Sequence, residues 1–300
     1  MPPLTAKARG AALSRLPLPL PTRLVSGNIG ERSQGLPPPP RSGTMPAGLD
    51  IKERQANGLA TIAVYSLKGG VGKTTLAVNL AWAAATLSSR RTLLWDLDPQ
   101  AASTYLLSDR KGKDSAQAIF TKDVEPEKLV RPTGIARLDL IGADASLRGL
   151  DILFHEIDKK NRLAKLLDGL RKDYDRILLD CPPGLTETSD QVMRAADLIV
   201  VPVIPSPLSE RALEGVLERL GSKAPVMPVH AMVDRRRKLH ADAVARHPDW
   251  PVVPMASIIE QMAARRAPVG AFAGKSPAAQ AFAQLWQAIE KRLARPAGKS

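Results

Sequence analysis

Cysteine is almost absent from this 300-residue chain: Cys181 stands alone beside 26 prolines and 21 glycines. A single thiol excludes an internal disulfide framework and points to a reducing compartment. It also excludes an iron–sulfur centre, which needs several thiolates. Cys181 itself reads as a small buried residue at a strand end rather than a reactive thiol. Aromatic residues make up only 4%. A core must therefore be built from Leu, Val, Ile and Ala, as in parallel sheets covered by helices. The four histidines, His155, His230, His240 and His247, show no paired metal spacing. No apolar run reaches the length of 18 or more residues that a transmembrane helix needs.

Acidic side chains are also scarce: 30 Asp and Glu face 43 Lys and Arg, for a net charge of +13. Such an excess bears on partners rather than on fold. It clusters in the carboxyl half, at Arg235, Arg236, Arg237 and Lys238, then Arg246, Arg265, Arg266 and Lys275. A surface of this kind suffices for nonspecific DNA binding, because phosphate contacts and counterion release supply the affinity. No base-reading motif is recognisable. A solvated charged face is the alternative reading of the same residues.

What is present divides the chain. Residues 1–57 are rich in Pro, Gly, Arg and Ser, include Pro37-Pro38-Pro39-Pro40, and lack any helical or strand period. They are expected to be a disordered Pro/Arg-rich tail. The segment Leu16-Pro17-Leu18-Pro19-Leu20-Pro21 is too broken by proline for a signal peptide. From residue 58 to 296 apolar runs alternate with helical patterns. That alternation predicts an α/β domain, a mostly parallel sheet with helices on both faces. Strands are expected at 61–65, 92–95, 136–141, 176–179, 197–203, 226–233 and 251–254. A long helical stretch is expected from Leu147 to Arg171. A further helix over 209–220 would be capped by Ser209 and stopped by Gly221. Ser276-Pro277 opens a last helix with Phe282, Leu285, Trp286, Ile289 and Leu293 on one face.

The most informative stretch follows the first strand: Lys68-Gly69-Gly70-Val71-Gly72-Lys73-Thr74-Thr75. Strand, glycine loop and helix in that order make a phosphate-binding loop. Glycines let backbone N–H groups curl around phosphate oxygens, and the following helix aims its positive end at the same anion. Lys73 would reach the β- and γ-phosphates of ATP, and the Thr74 hydroxyl would sit on Mg²⁺. Two other strands end in carboxylates, Asp96-Leu97-Asp98-Pro99-Gln100 and Asp180-Cys181-Pro182-Pro183-Gly184. Ligands in open α/β sheets bind beyond such strand ends. Carboxylates there can hold Mg²⁺ through water and orient an attacking water. Taken singly, each aspartate also fits a strand-end cap or a turn.

The loop departs from the common pattern at two positions. Leu67 stands where a first glycine is usual, and Lys68 adds a second lysine. This resembles the deviant Walker A motif of the ParA/MinD family of ATPases. The 96–100 segment looks like that family's switch region, and Asp180-Cys181-Pro182-Pro183 like its Walker B element. The resemblance covers nearly all of residues 60–294 and is strongest at these motifs. It implies that Lys68 crosses a dimer interface to the partner's nucleotide, stabilising charge in the manner of a finger residue. It further implies that Asp98 positions or activates the hydrolytic water, and that Asp180 belongs to the Mg²⁺ shell with Asp96 close by. Lys68, Lys73 and Asp98 are thus the candidate catalytic residues. Residues 232–237 look like the family segment near the adenine, whereas Val253-Pro254-Met255 departs from the family pattern.

These features together lead to an expectation of a ParA-like switch. ATP binding would close a homodimer, the dimer would bind DNA nonspecifically, and slow hydrolysis stimulated by a ParB-like or other activating partner would release it. The output would be plasmid or chromosome partitioning or cargo positioning by a cytoplasmic, nucleoid-associated protein. Two rivals differ in class. A MinD-like membrane-cycling ATPase needs a terminal amphipathic anchor, and Arg295-Pro296-Ala297-Gly298-Lys299-Ser300 is polar and proline-broken. A nucleotide-binding scaffold without turnover is opposed by the intact Lys68, Asp98 and Asp180.

Overall fold

Ala60–Val64 (β1) is buried at every position, as are Thr92–Asp96 (β2), Arg176–Asp180 (β5) and Leu198–Val203 (β6). Strands without a period-two alternation are what a sheet covered on both faces requires. The computed structural model describes residues 59–108, 116–121, 124–157, 161–221 and 224–294. The expected tail over 1–57 and the polar stretch 295–300 lie outside the described residues.

Val130–Pro132 (β3), Leu138–Ile141 (β4), Val226–Val233 (β7) and Val252–Pro254 (β8) complete the sheet. Its eight described strands run in the order β3-β4-β2-β5-β1-β6-β7-β8. Every described pairing is parallel except β3 with β4, an antiparallel edge that the sequence pattern did not suggest.

Helices cover both faces. Alternate strand residues feed two separate cores: Ile62, Val64, Leu94 and Leu178 on one side, Ala63, Tyr65, Trp95 and Leu179 on the other. The first side receives Lys73–Leu87 (α1) and, at the end of the chain, Pro277–Leu293. The second receives Leu150–Ile157 (α4), Arg162–Leu170 (α5), Glu187–Ala195 (α6) and Pro207–Leu220 (α7). Between them in sequence lie Ala102–Leu107 (α2) and Ala118–Thr121 (α3). Lys238–Arg246 (α8), Ser257–Arg265 (α9) and Val269–Ala273 (α10) precede the last helix, α11.

Helix α1 is alanine-rich and buried on nearly all sides, so neighbours approach it closely. A Cβ at Gly270 of α10 would meet the Trp82 ring at 2.2 Å. Asn79 in α1 accepts from the Val269 amide at 2.8 Å and so ties α10 to it. In α11 the Ser276 hydroxyl accepts from the Ala279 amide, and Phe282, Leu285, Trp286, Ile289 and Leu293 are buried as expected. Each such side chain contributes about 1.5–3 kcal/mol by leaving water.

Two expectations fail. The stretch 147–171 is not one helix: a 3-10 turn over Ala145–Gly149 leads into α4, and α5 starts afresh after Asn161. Asp144 accepts from the Ser146 amide to cap that turn, and Asn161 leaves helical geometry at φ −128. Short polar side chains of this kind favour a new start over continuation. The helix expected from Ser209 begins at Pro207, and Ser206 holds the cap position. Proline's fixed φ suits the first helical position, which places the cap one residue earlier. Gly221 ends α7 as expected, with φ +53.

Candidate functional site

Strand register assembles the site. Val64 on β1 and Asp96 on β2 both align with Asp180 on β5, so three parallel strands end at one level. The loops that follow them, over 65–72, 97–101 and 181–186, meet beyond the carboxyl edge. There they line a cleft of about 660 Å³.

The first loop needs its glycines. Gly70 and Gly72 have φ of +72 and +92, a region that side chains with Cβ rarely adopt. Gly72 is also the N-cap of α1, which has no side-chain cap and no acidic residue in its first turn. The helix therefore presents amide donors and the positive end of its dipole to the cleft. Lys73 is only 7% exposed. Its ammonium donates to the Lys68 carbonyl oxygen at 3.0 Å and forms no ion pair among the described residues. Burial lowers its pKa, while the Asp180 and Asp98 charges oppose that shift. A desolvated cation above an uncapped helix is a preformed anion site.

Two carboxylates stand beside it. Asp96 and Asp180 are both fully buried. Asp96 accepts from the Thr104 amide at 2.9 Å, the Thr104 hydroxyl at 2.7 Å and the Asp98 amide at 3.2 Å. Asp180 accepts from the Ser103 hydroxyl at 2.7 Å. Its Oδ1 has no hydrogen-bond partner of good geometry among the described residues. Burial pushes both carboxyls up in pKa; the Asp180 charge adds to the shift on Asp96, and the Ser103 and Thr74 hydroxyls oppose the shift on Asp180. An orphaned carboxylate oxygen near a threonine hydroxyl suits a divalent cation. Among the described residues no group of three or more His, Cys, Asp or Glu could hold a metal alone. A cation here would draw its remaining ligands from phosphate and water.

Asp98 is half-buried on the cleft wall, its Oδ1 accepting from the Gln100 amide at 2.9 Å. The left-handed Ala101, at φ 53, turns the chain into α2. The Tyr65 hydroxyl donates to the Gly184 carbonyl at 2.7 Å, which ties the end of β1 to the loop after β5. Cys181 is buried and its thiol is pushed up by burial, in keeping with a packing role.

The structure thus gathers Gly69, Gly70, Gly72, Lys73, Thr74, Thr75 and Asp98 along one cleft, with Asp96 and Asp180 at its base. Val71 is buried instead and lines a smaller pocket of about 160 Å³ with Ala231, Val253, Pro254 and Met255. Gly72, Thr75 and Met232 are shared by the two cavities. Lys68 lies half-buried at the start of the loop. Several residues of the site were not anticipated: Ser103 and Thr104, which hold the carboxylates from behind the cleft, and Arg148, Asp151 and Thr188, which line it. Arg148 falls inside the stretch expected as one helix, so no sequence signal marks it.

The basic candidates are scattered in their environments. Arg235, Arg237, Lys238, Arg265 and Lys275 are exposed. Arg236 is exposed too but pairs with Asp234 at 2.9 Å. Arg246 pairs with Glu210 at 2.7 Å. Arg266 turns inward onto backbone carbonyls. No described helix is long and apolar enough to cross a membrane.

Comparison with known proteins adds sequence kinship to this geometry. A family profile described as an AAA domain matches residues 59–223. The chain is 35% identical over 165 residues to the sporulation initiation inhibitor protein Soj of Bacillus subtilis. That match covers 54% of this chain and 63% of the relative, less than two thirds of its length. The chain is 34% identical over 200 residues to the chromosome partitioning protein ParA of Caulobacter vibrioides, covering 61% of this chain and 73% of that one. Among solved structures, a McdA–ATP complex of Cyanothece superposes with a TM-score of 0.67 at 22% identity, over 77% of this chain and 96% of that one. At that identity the likeness is one of fold.

Proposed function

Because this chain belongs to the ParA/MinD family of P-loop ATPases, we propose that it binds and slowly hydrolyses ATP as a dimerising switch in DNA partitioning or cargo positioning. The observation that carries the reading is Lys73, buried above a left-handed glycine loop and without an ion pair among the described residues. A buried ammonium that the nearby Asp180 and Asp98 charges only partly compensate, with no direct ion pair among the described residues, is costly unless an anion completes it. The triphosphate would supply that anion. Backbone amides of residues 69–75 would bind its oxygens, and Lys73 would move from the Lys68 carbonyl onto them.

The base would enter the smaller pocket, whose Val253, Pro254 and Met232 offer apolar faces. This fits despite the departure from the family pattern at residues 253–255, since apolar contact does not need a particular side chain. Thr74, Asp180 and Asp96 fit a Mg²⁺ site, and bound Mg²⁺ would offset phosphate charge as the terminal phosphoryl group transfers. Asp98 lines the cleft with its carboxylate half-exposed, where it can orient an attacking water. The Ser103 and Thr104 hydroxyls hold the two buried carboxylates in place meanwhile.

Dimerisation has support from the rim. Ile152, Leu185 and Leu208 are exposed large apolar residues beside cleft-lining residues or at the strand-end face. A second copy closing over the cleft would bury them and bring its Lys68 to the nucleotide. Pooled basic surface from two copies would then bind DNA, since linked weak sites gain effective concentration. An activating partner would accelerate hydrolysis and reopen the dimer, with the ATP form held on the nucleoid.

Calorimetric titration of ATP·Mg²⁺ into the wild-type chain and Asp98→Ala tests the reading. Both should bind, and by light scattering the variant should accumulate as a dimer because only the water-orienting step is lost. Absence of binding to wild type would refute the nucleotide site. Normal turnover by the variant would remove Asp98 from catalysis.

A further inference from the structure

Arg266 sits in the basic carboxyl half, yet its half-buried side chain is engaged with backbone carbonyls of the protein. Its Nε donates to the Tyr105 carbonyl oxygen at 2.9 Å, and its Nη2 donates to that of Ser108. The guanidinium also lies 5.0 Å from the centre of the Tyr105 ring. Those carbonyls belong to the last turn of α2 and its C-cap. Carbonyls at a helix end lack intrahelical partners, and a cation there meets the negative end of the dipole. Arg266 itself adopts the left-handed region, φ 49, at the C-cap of α9, a place glycine usually takes. An arginine there in spite of the backbone strain implies that its side chain is the reason.

The other contacts of α2 show what the clamp holds. Adjacent residues of this short helix, Ser103 and Thr104, carry the hydrogen bonds to Asp180 and Asp96. The Thr104 hydroxyl also accepts from the Ala143 amide after β4. Tyr105, next in line, is where Arg266 attaches. The same helix follows Asp98 through the left-handed Ala101. A shift of α2 therefore moves the supports of Asp96 and Asp180 together and pulls on the turn that follows Asp98. The neighbouring Arg265 diverges: it lies over the Phe272 ring, bonds Gln261 and stays exposed.

We propose that Arg266 is a positioning residue for ATP hydrolysis, clamping the carboxyl end of α2 so that Ser103 and Thr104 hold the site aspartates, and linking that geometry to the exposed Arg265 and Lys275 on either side of α10. A polyanion engaging Arg265 or Lys275 would act on the backbone that carries the clamp. The proposal rests on the ATPase reading for its kinetic consequence, but the clamp itself does not.

Arg266→Ala and Arg266→Lys in the full chain test it. Without nucleotide, amide exchange over residues 101–108 should quicken in Arg266→Ala. Lysine keeps the charge but not the two-pronged donor, so Arg266→Lys should lie between. In turnover assays kcat should fall roughly tenfold or more through misplacement of the aspartates, while KM for ATP changes less than about twofold, as expected when only the transition state loses support. The salt slope of DNA binding should be unchanged, whereas loss of a phosphate contact would lower it by about one. Unchanged exchange over 101–108 overturns the clamp whatever the ATPase does. A lowered salt slope with normal kcat returns Arg266 to the DNA surface. A wild-type chain without ATP hydrolysis refutes the proposed function and leaves the exchange experiment to judge the clamp.

Discussion

Replacing Lys73 by methionine should weaken ATP binding sharply and leave the nucleotide-free fold at least as stable. Methionine keeps most of the apolar stem and deletes the charge, so the change isolates the ammonium. Without nucleotide the Lys73 residue is 7% exposed, and its ammonium has one described hydrogen bond, to the Lys68 carbonyl at 3.0 Å. Holding an incompletely paired buried charge costs several kcal/mol in effective terms, and the variant removes that cost. With the triphosphate present the balance reverses. A hydrogen bond to a charged group contributes about 1.5–3 kcal/mol, and each 1.4 kcal/mol is a factor of about ten. Affinity should therefore fall between roughly 10- and 150-fold. Calorimetry gives the affinity. Thermal melts with and without ATP·Mg²⁺ give the second half, because a ligand that binds only the folded state raises the midpoint. The wild type should gain several degrees with nucleotide and the variant almost none. The reasoning fails if Lys73→Met binds ATP as tightly as wild type. It also fails if the nucleotide-free variant melts much lower, which would make Lys73 a structural residue.

The DNA and pH consequences can be read in the same laboratory. Arg235, Arg237 and Lys238 are exposed, and reversing them to glutamate should abolish ATP-dependent binding to two unrelated duplexes in a gel shift while nucleotide affinity persists; equal binding without nucleotide would sink the switch. His230 is buried against the His247 carbonyl and Trp250, with Glu210, Arg246 and His247 as its charged or titratable neighbours, and burial, the largest effect, lowers its pKa from 6.5. A histidine kept neutral in the fold takes up a proton more readily when unfolded, so its contribution is full above pH 6.5 and is lost as pH falls through its lower folded pKa. The melting temperature of wild type should thus drop more steeply below pH 6.5 than that of His230→Gln, and parallel profiles would refute the assignment.

Local chemistry was legible in the sequence, and chemistry assembled across strands was not. The phosphate loop could be read because its strand, glycines, lysine and helix are contiguous. Asp96, Asp98 and Asp180 could be read because each closes or follows an apolar run. Ser103 and Thr104 could not: their importance lies in reaching Asp180 and Asp96, one of them 77 residues away, and only the β2–β5 register creates that meeting. Helices α8 and α9 escaped because each buries so little, His240 and Ala243 in one and Met262 in the other, that no apolar stripe marks them. Arg266 was read by its charge alone. Whether a cation faces solvent or a helix end depends on where the chain turns, and the left-handed turn at Arg266 has no glycine to announce it.

The carboxylate pair shows why this site reads as functional rather than structural. Two aspartates on adjacent positions of neighbouring strands, both excluded from water, repel each other and lose solvation together. A fold selected only for stability would place apolar residues there, as it does at Leu94 and Leu178 two positions before. Hydrogen bonds from Ser103 and Thr104 offset part of the cost, yet one Asp180 oxygen has no partner of good geometry among the described residues, only the nearby Thr74 hydroxyl. Lys73, beside them, is a buried cation whose only described bond is to a carbonyl. Neither set fully satisfies the other: no ion pair joins Lys73 to these aspartates among the described residues, although the Asp180 charge, with that of Asp98, opposes the lowering of its pKa by burial. A nucleotide with a divalent cation brings one charge of each sign to the place where its opposite is waiting. Binding should therefore stabilise the fold by more than its contacts alone would suggest, since it also compensates buried charges that the fold itself leaves incompletely paired.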